Sequence, residues 1–444
     1  MRRILPVLCV LGILFSSALA CAGSIDYLSN QSAEYLMTFS RNAATDSADI
    51  ASYNPAGIVF LPQNGLYLNT SAQYLLKPYE QTYRGQTYKQ DEPTVIPNLY
   101  TVYKQDKWAV FFAATVTAGG GKIKWKEGNA TTAGLILQTA GAAALSGGGT
   151  GATAINSQSL EAFSRYIGLA PGAAYKVNDS ISFAVAGRYI KANRYARAFA
   201  DFSMDAIGAV PGNETSVLVD SDFDYNARGF GGILGMDIKP VENLMLGLRY
   251  ETVTKLDFKY SASSRSAAVT GPVPALNDTL SNGLLATLAS LDKDGQKVRY
   301  DLPAVLGLGV NYTVMPGLDV MSSLNYYFIK NADWEGVNGY HNGWEISLGV
   351  TYMVTPKLKA GVGYLNTVSG ETDSTPYVAE NPHLDSWTGG LGLAYTVTPN
   401  FDVTLAGSRT QYRTDSNNGG TADEVEFKKV VNNIAVGVQY RLDM

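Results

Sequence analysis

Residues 244–251 read Leu244-Met245-Leu246-Gly247-Leu248-Arg249-Tyr250-Glu251. In an extended chain successive side chains point to opposite faces. Leu244, Leu246, Leu248 and Tyr250 therefore share one face, and Met245, Gly247, Arg249 and Glu251 the other. The pattern recurs along the chain. Ile181, Phe183, Val185 and Tyr189 oppose Ser182, Ala184, Ala186 and Arg188, while Leu306, Leu308, Val310 and Tyr312 oppose Gly307, Gly309 and Asn311. The chain ends on Ile434, Val436, Val438, Tyr440, Leu442 and Met444, with Asn433, Gln439, Arg441 and Asp443 between them. Such strands fit either a sandwich with one wet face or a barrel whose apolar face meets lipid.

The connections separate these two. Short turns occur at 104–107, 177–180, 239–243, 315–317, 355–357 and 398–400, each rich in the Pro, Gly, Asn or Asp that tight turns demand. They alternate with long polar or Gly-rich segments at 80–93, 119–160, 200–221, 261–297, 332–342, 369–384 and 414–426. These thirteen connections join fourteen strands, an even number with short turns on one side and long loops on the other, as in outer-membrane barrels. Tyr250, Tyr312, Trp344, Tyr352 and Tyr395 suit an aromatic girdle. Gly119-Gly120-Gly121 and Gly147-Gly148-Gly149 read as loop.

Composition agrees. Only 16 % of the 444 residues are charged, against about 25 % in average soluble domains. The mean hydropathy of −0.04 is too polar for a helical membrane protein. The net charge of −5 argues against a nucleic-acid partner. Arg2 and Arg3 precede an apolar run, Ile4 to Leu19, that ends in Ala18-Leu19-Ala20-Cys21-Ala22-Gly23. These are the parts of a signal peptide, 1–22, cut after Ala22 or Ala20; lipidation at Cys21 is the alternative. Removal of 1–22 takes both cysteines with it.

Residues 23–63 lack alternation and precede the barrel, 64–444. Fourteen strands enclose a lumen too wide for side chains to fill, so a plug inside the lumen is expected. Arg41-Asn42-Ala43, Asp46-Ser47-Ala48-Asp49 and Tyr53-Asn54-Pro55-Ala56-Gly57 resemble the hatch signature of the FadL/TodX family of outer-membrane transporters. The run Leu246-Gly247-Leu248-Arg249-Tyr250 and the Leu302-Pro303-Ala304 that leads into a Gly-alternating strand resemble the same family. The resemblance implies uptake of hydrophobic molecules, most often long-chain fatty acids, with aromatic hydrocarbons as the alternative. It implies a bacterial outer-membrane location with both termini periplasmic. It also implies gating by Asn54, Pro55, Ala56 and Gly57 against small residues, Ala113 and Ala114, of a third strand (Trp108 to Ala118) that opens sideways in the family.

Other chemistry is poorly supported. His341 and His383 are isolated, so neither a catalytic constellation nor a metal site is expected, and no cofactor. Apolar residues stand out in segments that should be wet: Leu135-Ile136-Leu137, and Leu280, Leu284, Leu285 and Leu288 at helical spacing. They form either a ligand groove or the packing face of two short helices. In the family these loops hold the first ligand site. Arg188 and Arg249 face the lumen by alternation. They are candidates for a ligand carboxylate, or for pairing with Glu251. The expected partners are a hydrophobic small molecule, outer-membrane lipid and lipopolysaccharide, and the chain is expected to be a monomer. A general porin is the competing reading.

Overall fold

Strands surrounded by hydrocarbon must satisfy every backbone N–H and C=O within a ladder that has no free edge. The computed structural model describes residues 32–147, 153–205, 214–272, 274–291, 294–334, 340–370, 384–417 and 424–443. It shows fourteen antiparallel strands that close on themselves. They are β1 (Gly65–Leu76), β2 (Thr94–Gln105), β3 (Trp108–Trp125), β4 (Thr153–Asn178), β5 (Ile181–Asp205), β6 (Glu214–Val241), β7 (Leu244–Glu251, then Asp257–Thr270) and β8 (Lys297–Arg299, then Val305–Met315). The ring continues through β9 (Leu318–Tyr327), β10 (Gly343–Thr355), β11 (Leu358–Val368), β12 (Ser386–Thr398), β13 (Phe401–Tyr412) and β14 (Val425–Leu442). Each pairs with its successor, and β14 returns to β1 from Leu66↔Leu442 to Leu76↔Asn432. The expected signal peptide and the terminal Met444 lie outside the described residues.

The outward face is apolar and bare. Val185, Leu234, Leu348, Val362, Leu391 and Leu405 are all more than half exposed, and none has a protein neighbour to cover it. So broad an apolar band is incompatible with water and is the signature of a lipid-facing surface. Trp108, Tyr175, Tyr312, Tyr352, Tyr395 and Tyr440 lie beside the short turns and are exposed, as one aromatic girdle requires.

Several expected loops are instead wall. The strands β4, β5 and β6 run for 26, 25 and 28 residues, far beyond the roughly 9–11 a bilayer needs. β3 and β4 absorb the two ends of 119–160, β5 and β6 most of 200–221, and β7 the start of 261–297. Segment 80–93 folds into a hairpin, Tyr79–Tyr83 with Gln86–Gln90, which pairs with β14. Polarity on the outer face marks where a strand leaves lipid, not where it ends; Arg197 and Asp222, an ion pair at 3.1 Å, sit on that emergent part of β5 and β6. Gly119 and Gly121 are likewise within β3, with φ of +96° and +76°, at two register shifts opposite β4. There the ladder bulges without stopping. Two helices fill the remaining loop sequence, α2 (Ala130–Gly147) and α3 (Pro274–Leu291), after a short α1 (Ala33–Thr38) inside the ring.

An outward side chain near mid-strand reports the lipid assignment. Leu348→Arg is expected to destabilise the barrel in vesicles by about 2–4 kcal/mol, read as a lower urea midpoint, whereas Ser408→Arg, whose residue is partly shielded, should cost less.

Candidate functional site

Residues 32–63 run inside the ring and are held there by polar contacts to the inner wall. Ser32 caps α1, accepting from the Tyr35 N–H at 3.0 Å, and Phe39 ends it in the left-handed region at φ 57°. The chain then turns through Arg41. Its guanidinium donates to Asp49 (Nε–Oδ2 3.0 Å) and pairs with Asp46 at 2.8 Å, and Lys359 of β11 reaches Asp46 at 2.8 Å. Burial alone would raise the Asp46 carboxyl, but Arg41 and Lys359 hold it well below the usual carboxylate range. Glu34, beside this cluster, has less help. Burial, with Asp49 next, pushes its carboxyl up to about 7, although Asn69 donates to it at 3.1 Å.

Asn42 and Asn54 tie this segment to three strands, β6, β8 and β9. Asn42 Nδ2 donates to the Leu308 carbonyl at 3.1 Å and to Asn325 Oδ1 at 2.9 Å. Asn54 Nδ2 donates to the Asn42 carbonyl (3.0 Å), the Met236 carbonyl (3.2 Å) and Asp237 Oδ1 (2.6 Å), while its Oδ1 caps the Pro55–Phe60 helix at Ala56 N–H. Pro55 takes the first helical position, where no N–H is needed. Ser182 of β5 donates to the Ala56 carbonyl at 2.8 Å. The wall makes room for this backbone with glycine: a Cβ on Gly247 would strike the Asn42 carbonyl, and one on Gly309 would lie 2.6 Å from the Ala43 nitrogen.

Above this segment lies a cavity. Ser52 and Tyr53 form its floor; Thr115, Thr117, Ile233, Leu302, Val305 and Tyr327 line its sides; Arg188, Arg249 and Glu251 face into it. Glu251 pairs with both guanidiniums, and Arg188 Nη2 also donates to Thr254 at 3.2 Å. All three are about 95 % buried. The pairing alternative read from the sequence is thus the arrangement present, but one carboxylate serves two cations. The cavity exists because the wall is interrupted beside it. β7 breaks at 252–256 and β8 at 300–304, where Pro303 removes a donor, and the gap is spanned by the bridge Thr254↔Leu302. The free volume is about 60 Å³, well below the roughly 150 Å³ that holds a benzene ring in other protein interiors.

At the long-loop end the two helices are brought together. Ile136 and Ala140 of α2 share a buried cluster with Phe202, Met204, Val217 and Val269, and Leu280 and Leu284 of α3 pack against it. Leu135 is buried and Leu285 half-buried; the side chain of Leu288 lies outside the described residues, as does His383. Leu137 points the other way. With Tyr83, Tyr88, Ala133, Ile155 and Gln158 it lines a groove of about 570 Å³, within the 300–1,000 Å³ typical of ligand sites.

Ala113 faces inward and shares an apolar cluster with Ala56, Ile58 and Val59. Ala114 does not join it, because the next residue on a strand points to the other face. Asn54 itself is held by β6, not β3. Asp237, Thr115, Thr117 and Tyr327 join the site without a place in the sequence motifs, and Tyr53, which opens the Tyr53-Asn54-Pro55-Ala56-Gly57 run of the hatch signature, is part of the cavity floor. Asp237 had one legible signal: a carboxylate at an inward position of an apolar strand, opposite Gly247.

A family model described as outer membrane protein transport protein (OMPP1/FadL/TodX) matches residues 13–443. No curated protein sequence matches the chain. The solved structure of a Pseudomonas aeruginosa FadL homologue superposes with a TM-score of 0.64 at 15 % identity, covering 93 % of this chain and 98 % of that one. The P. putida toluene transporter TodX gives 0.61 at 13 % identity, covering 92 % and 100 %. The Ralstonia pickettii toluene transporter TbuX gives 0.56 at 16 %, covering 92 % and 99 %.

Glu34 makes docking of the inner segment depend on pH. Its carboxyl is raised when docked, from 4.5 to about 7, so docking binds a proton. The penalty for docking is absent below pH 4.5, grows between 4.5 and 7, and levels off above at about 3 kcal/mol. Protection factors of residues 33–60, with the intrinsic pH dependence of amide exchange divided out, are therefore expected to rise on going from pH 8 to pH 5, and Glu34→Gln should remove that rise.

Proposed function

Since the chain belongs to the OMPP1/FadL/TodX family of outer-membrane transport proteins, we propose that it takes up hydrophobic molecules with an acidic head, long-chain fatty acids being the class the resemblance implies. The long-loop end faces outward, and the short turns and both termini face the periplasm. An apolar ligand is collected in the groove beside Leu137, descends to the cavity, and passes when residues 32–63 shift. The observation that carries this reading is the cavity itself. It is closed below by Ser52 and Tyr53, apolar on its sides, and holds two guanidiniums against one carboxylate. A desolvated cation favours an anionic partner, since charge-assisted hydrogen bonds are roughly twice as strong as neutral ones. The second reading is a neutral aromatic hydrocarbon, favoured by the rings of the upper lumen and by the toluene transporters that share the fold.

The polar docking of the inner segment supports its role as gate. Hydrogen bonds and ion pairs fix its position, alongside apolar packing of Ile50, Ile58 and Val59 against Tyr100, Val102 and Ile233.

Removal of residues 32–60 is expected to raise single-channel conductance in planar bilayers from near zero to that of an open pore, with the barrel still assembled. Unchanged conductance would remove the gate and leave the chain closer to a porin with some other constriction. For capture, Leu137→Asp puts charge on the groove without touching a barrel strand. Loss of one apolar side chain from contact is worth about 1.5–3 kcal/mol, so ligand affinity should fall roughly tenfold or more. Uptake equal to that of the unsubstituted protein would assign Leu137 to packing alone.

A further inference from the structure

Directly above the cavity the lumen wall becomes aromatic. Tyr166 of β4, Phe223 and Tyr225 of β6, Phe258 and Tyr260 of β7, and Tyr300 share one buried cluster with Leu302, Val305 and Tyr327, and the last three also line the cavity. The cavity and the aromatic cluster therefore adjoin through these three residues. The rings already meet in the geometries that flat π-systems prefer. Tyr300 and Trp334 are parallel, 3° apart at 4.9 Å, Tyr225 and Tyr260 meet edge to face at 4.3 Å, and Tyr166 lies 5.9 Å from Phe258. The Arg194 guanidinium lies over Phe258 at 5.3 Å and over Tyr300 at 5.4 Å.

At the foot of this wall the charge is out of balance. Among the residues that line the cavity, Arg188 and Arg249 face a single carboxylate, Glu251. The other lumen carboxylates nearby are committed elsewhere: Glu345 accepts from the Tyr327 hydroxyl at 2.8 Å, and Asp237 accepts from Asn54 below. The Nε–H groups of Arg188 and Arg249 find no acceptor among the described residues. A guanidinium binds a carboxylate best through two parallel N–H donors, so each retains donors for a second acid.

We propose that the ligand of this site is an aromatic carboxylic acid, its ring held among the rings of β4–β8 and its carboxylate taken by Arg188 and Arg249. The inference rests on the transport reading above and narrows it. A neutral hydrocarbon uses the rings but leaves two cations on one anion. An aliphatic acid balances the charge but gains nothing from the quadrupoles of the ring surface. A ring that carries a carboxylate uses both.

The test is isothermal titration of the purified full-length protein in detergent at pH 7 with three ligands of similar size: 3-phenylpropanoate, octanoate and propylbenzene. The same three are followed into proteoliposomes. The expected result is that 3-phenylpropanoate binds at least tenfold tighter than either of the others. Arg249→Gln, which leaves Arg188 to pair with Glu251, should bring 3-phenylpropanoate down to the level of propylbenzene without weakening propylbenzene. Phe258→Leu should reduce the advantage of 3-phenylpropanoate over octanoate. The ranking on the unsubstituted protein decides even if a variant fails to assemble. Octanoate or propylbenzene binding as tightly as 3-phenylpropanoate overturns the inference and leaves transport intact; absence of binding and of uptake for all three overturns both.

Discussion

The structure depends on one closure, the ladder of eleven residue pairs between β1 and β14. It removes the last free edge, which hydrocarbon does not tolerate. The rest is a consequence of how many strands that closure takes. Fourteen strands leave a lumen that wall side chains do not span, so the interior has to be filled by a separate stretch of chain. That stretch faces a wall whose inward positions mix small, polar and aromatic residues. It packs Ile50, Ile58 and Val59 against Tyr100, Val102 and Ile233, and its position is fixed by hydrogen bonds from Asn42 and Asn54, ion pairs around Arg41, and backbone approaching Gly247 and Gly309.

The two charged clusters of the lumen serve different ends. Around Arg41, Asp46 and Asp49 hold the cation while Lys359 pairs with Asp46, so two cations face two anions and the group is balanced. Around Arg188 and Arg249 the set is short of one anion and adjoins a cavity. Both are buried, and burying ions is costly unless their partners are present. The difference between a satisfied network and an unsatisfied one is what separates a structural cluster from a candidate binding site.

Much of the barrel is legible in single segments. Leu244–Glu251 alone shows which face meets lipid, and it places Arg249 and Glu251 in the lumen, where they are found. All six short turns fall where the Pro, Gly, Asn and Asp residues stand. The lengths of β4–β6 are not legible in the same way, because a strand that leaves the bilayer keeps its period of two but exchanges apolar for polar outer residues, and so resembles a loop. Ala114, which the resemblance set beside Ala113 against Asn54, Pro55 and Ala56, lies on the opposite face of β3, because parity turns it outward. The aromatic wall was hidden for a simpler reason. Its rings are spread over β4 to β8, far apart in sequence, and only the register between neighbouring strands assembles them.

The interruption at 252–256 and 300–304 has a mechanical meaning as well. Around most of the circumference, adjacent strands are joined by continuous ladders, and a closed ladder resists stretching as a hoop does. Between β7 and β8, across 252–256 and 300–304, the join narrows to Thr254 and Leu302, which exchange two hydrogen bonds of 3.0 Å, and to the Tyr300 N–H, which donates to the Leu256 carbonyl at 2.8 Å. A hoop under tension yields at its narrowest join. A strain on the hoop is thus taken up first at this seam, beside Arg188 and Glu251, much as an expansion joint takes up the movement of the structure around it.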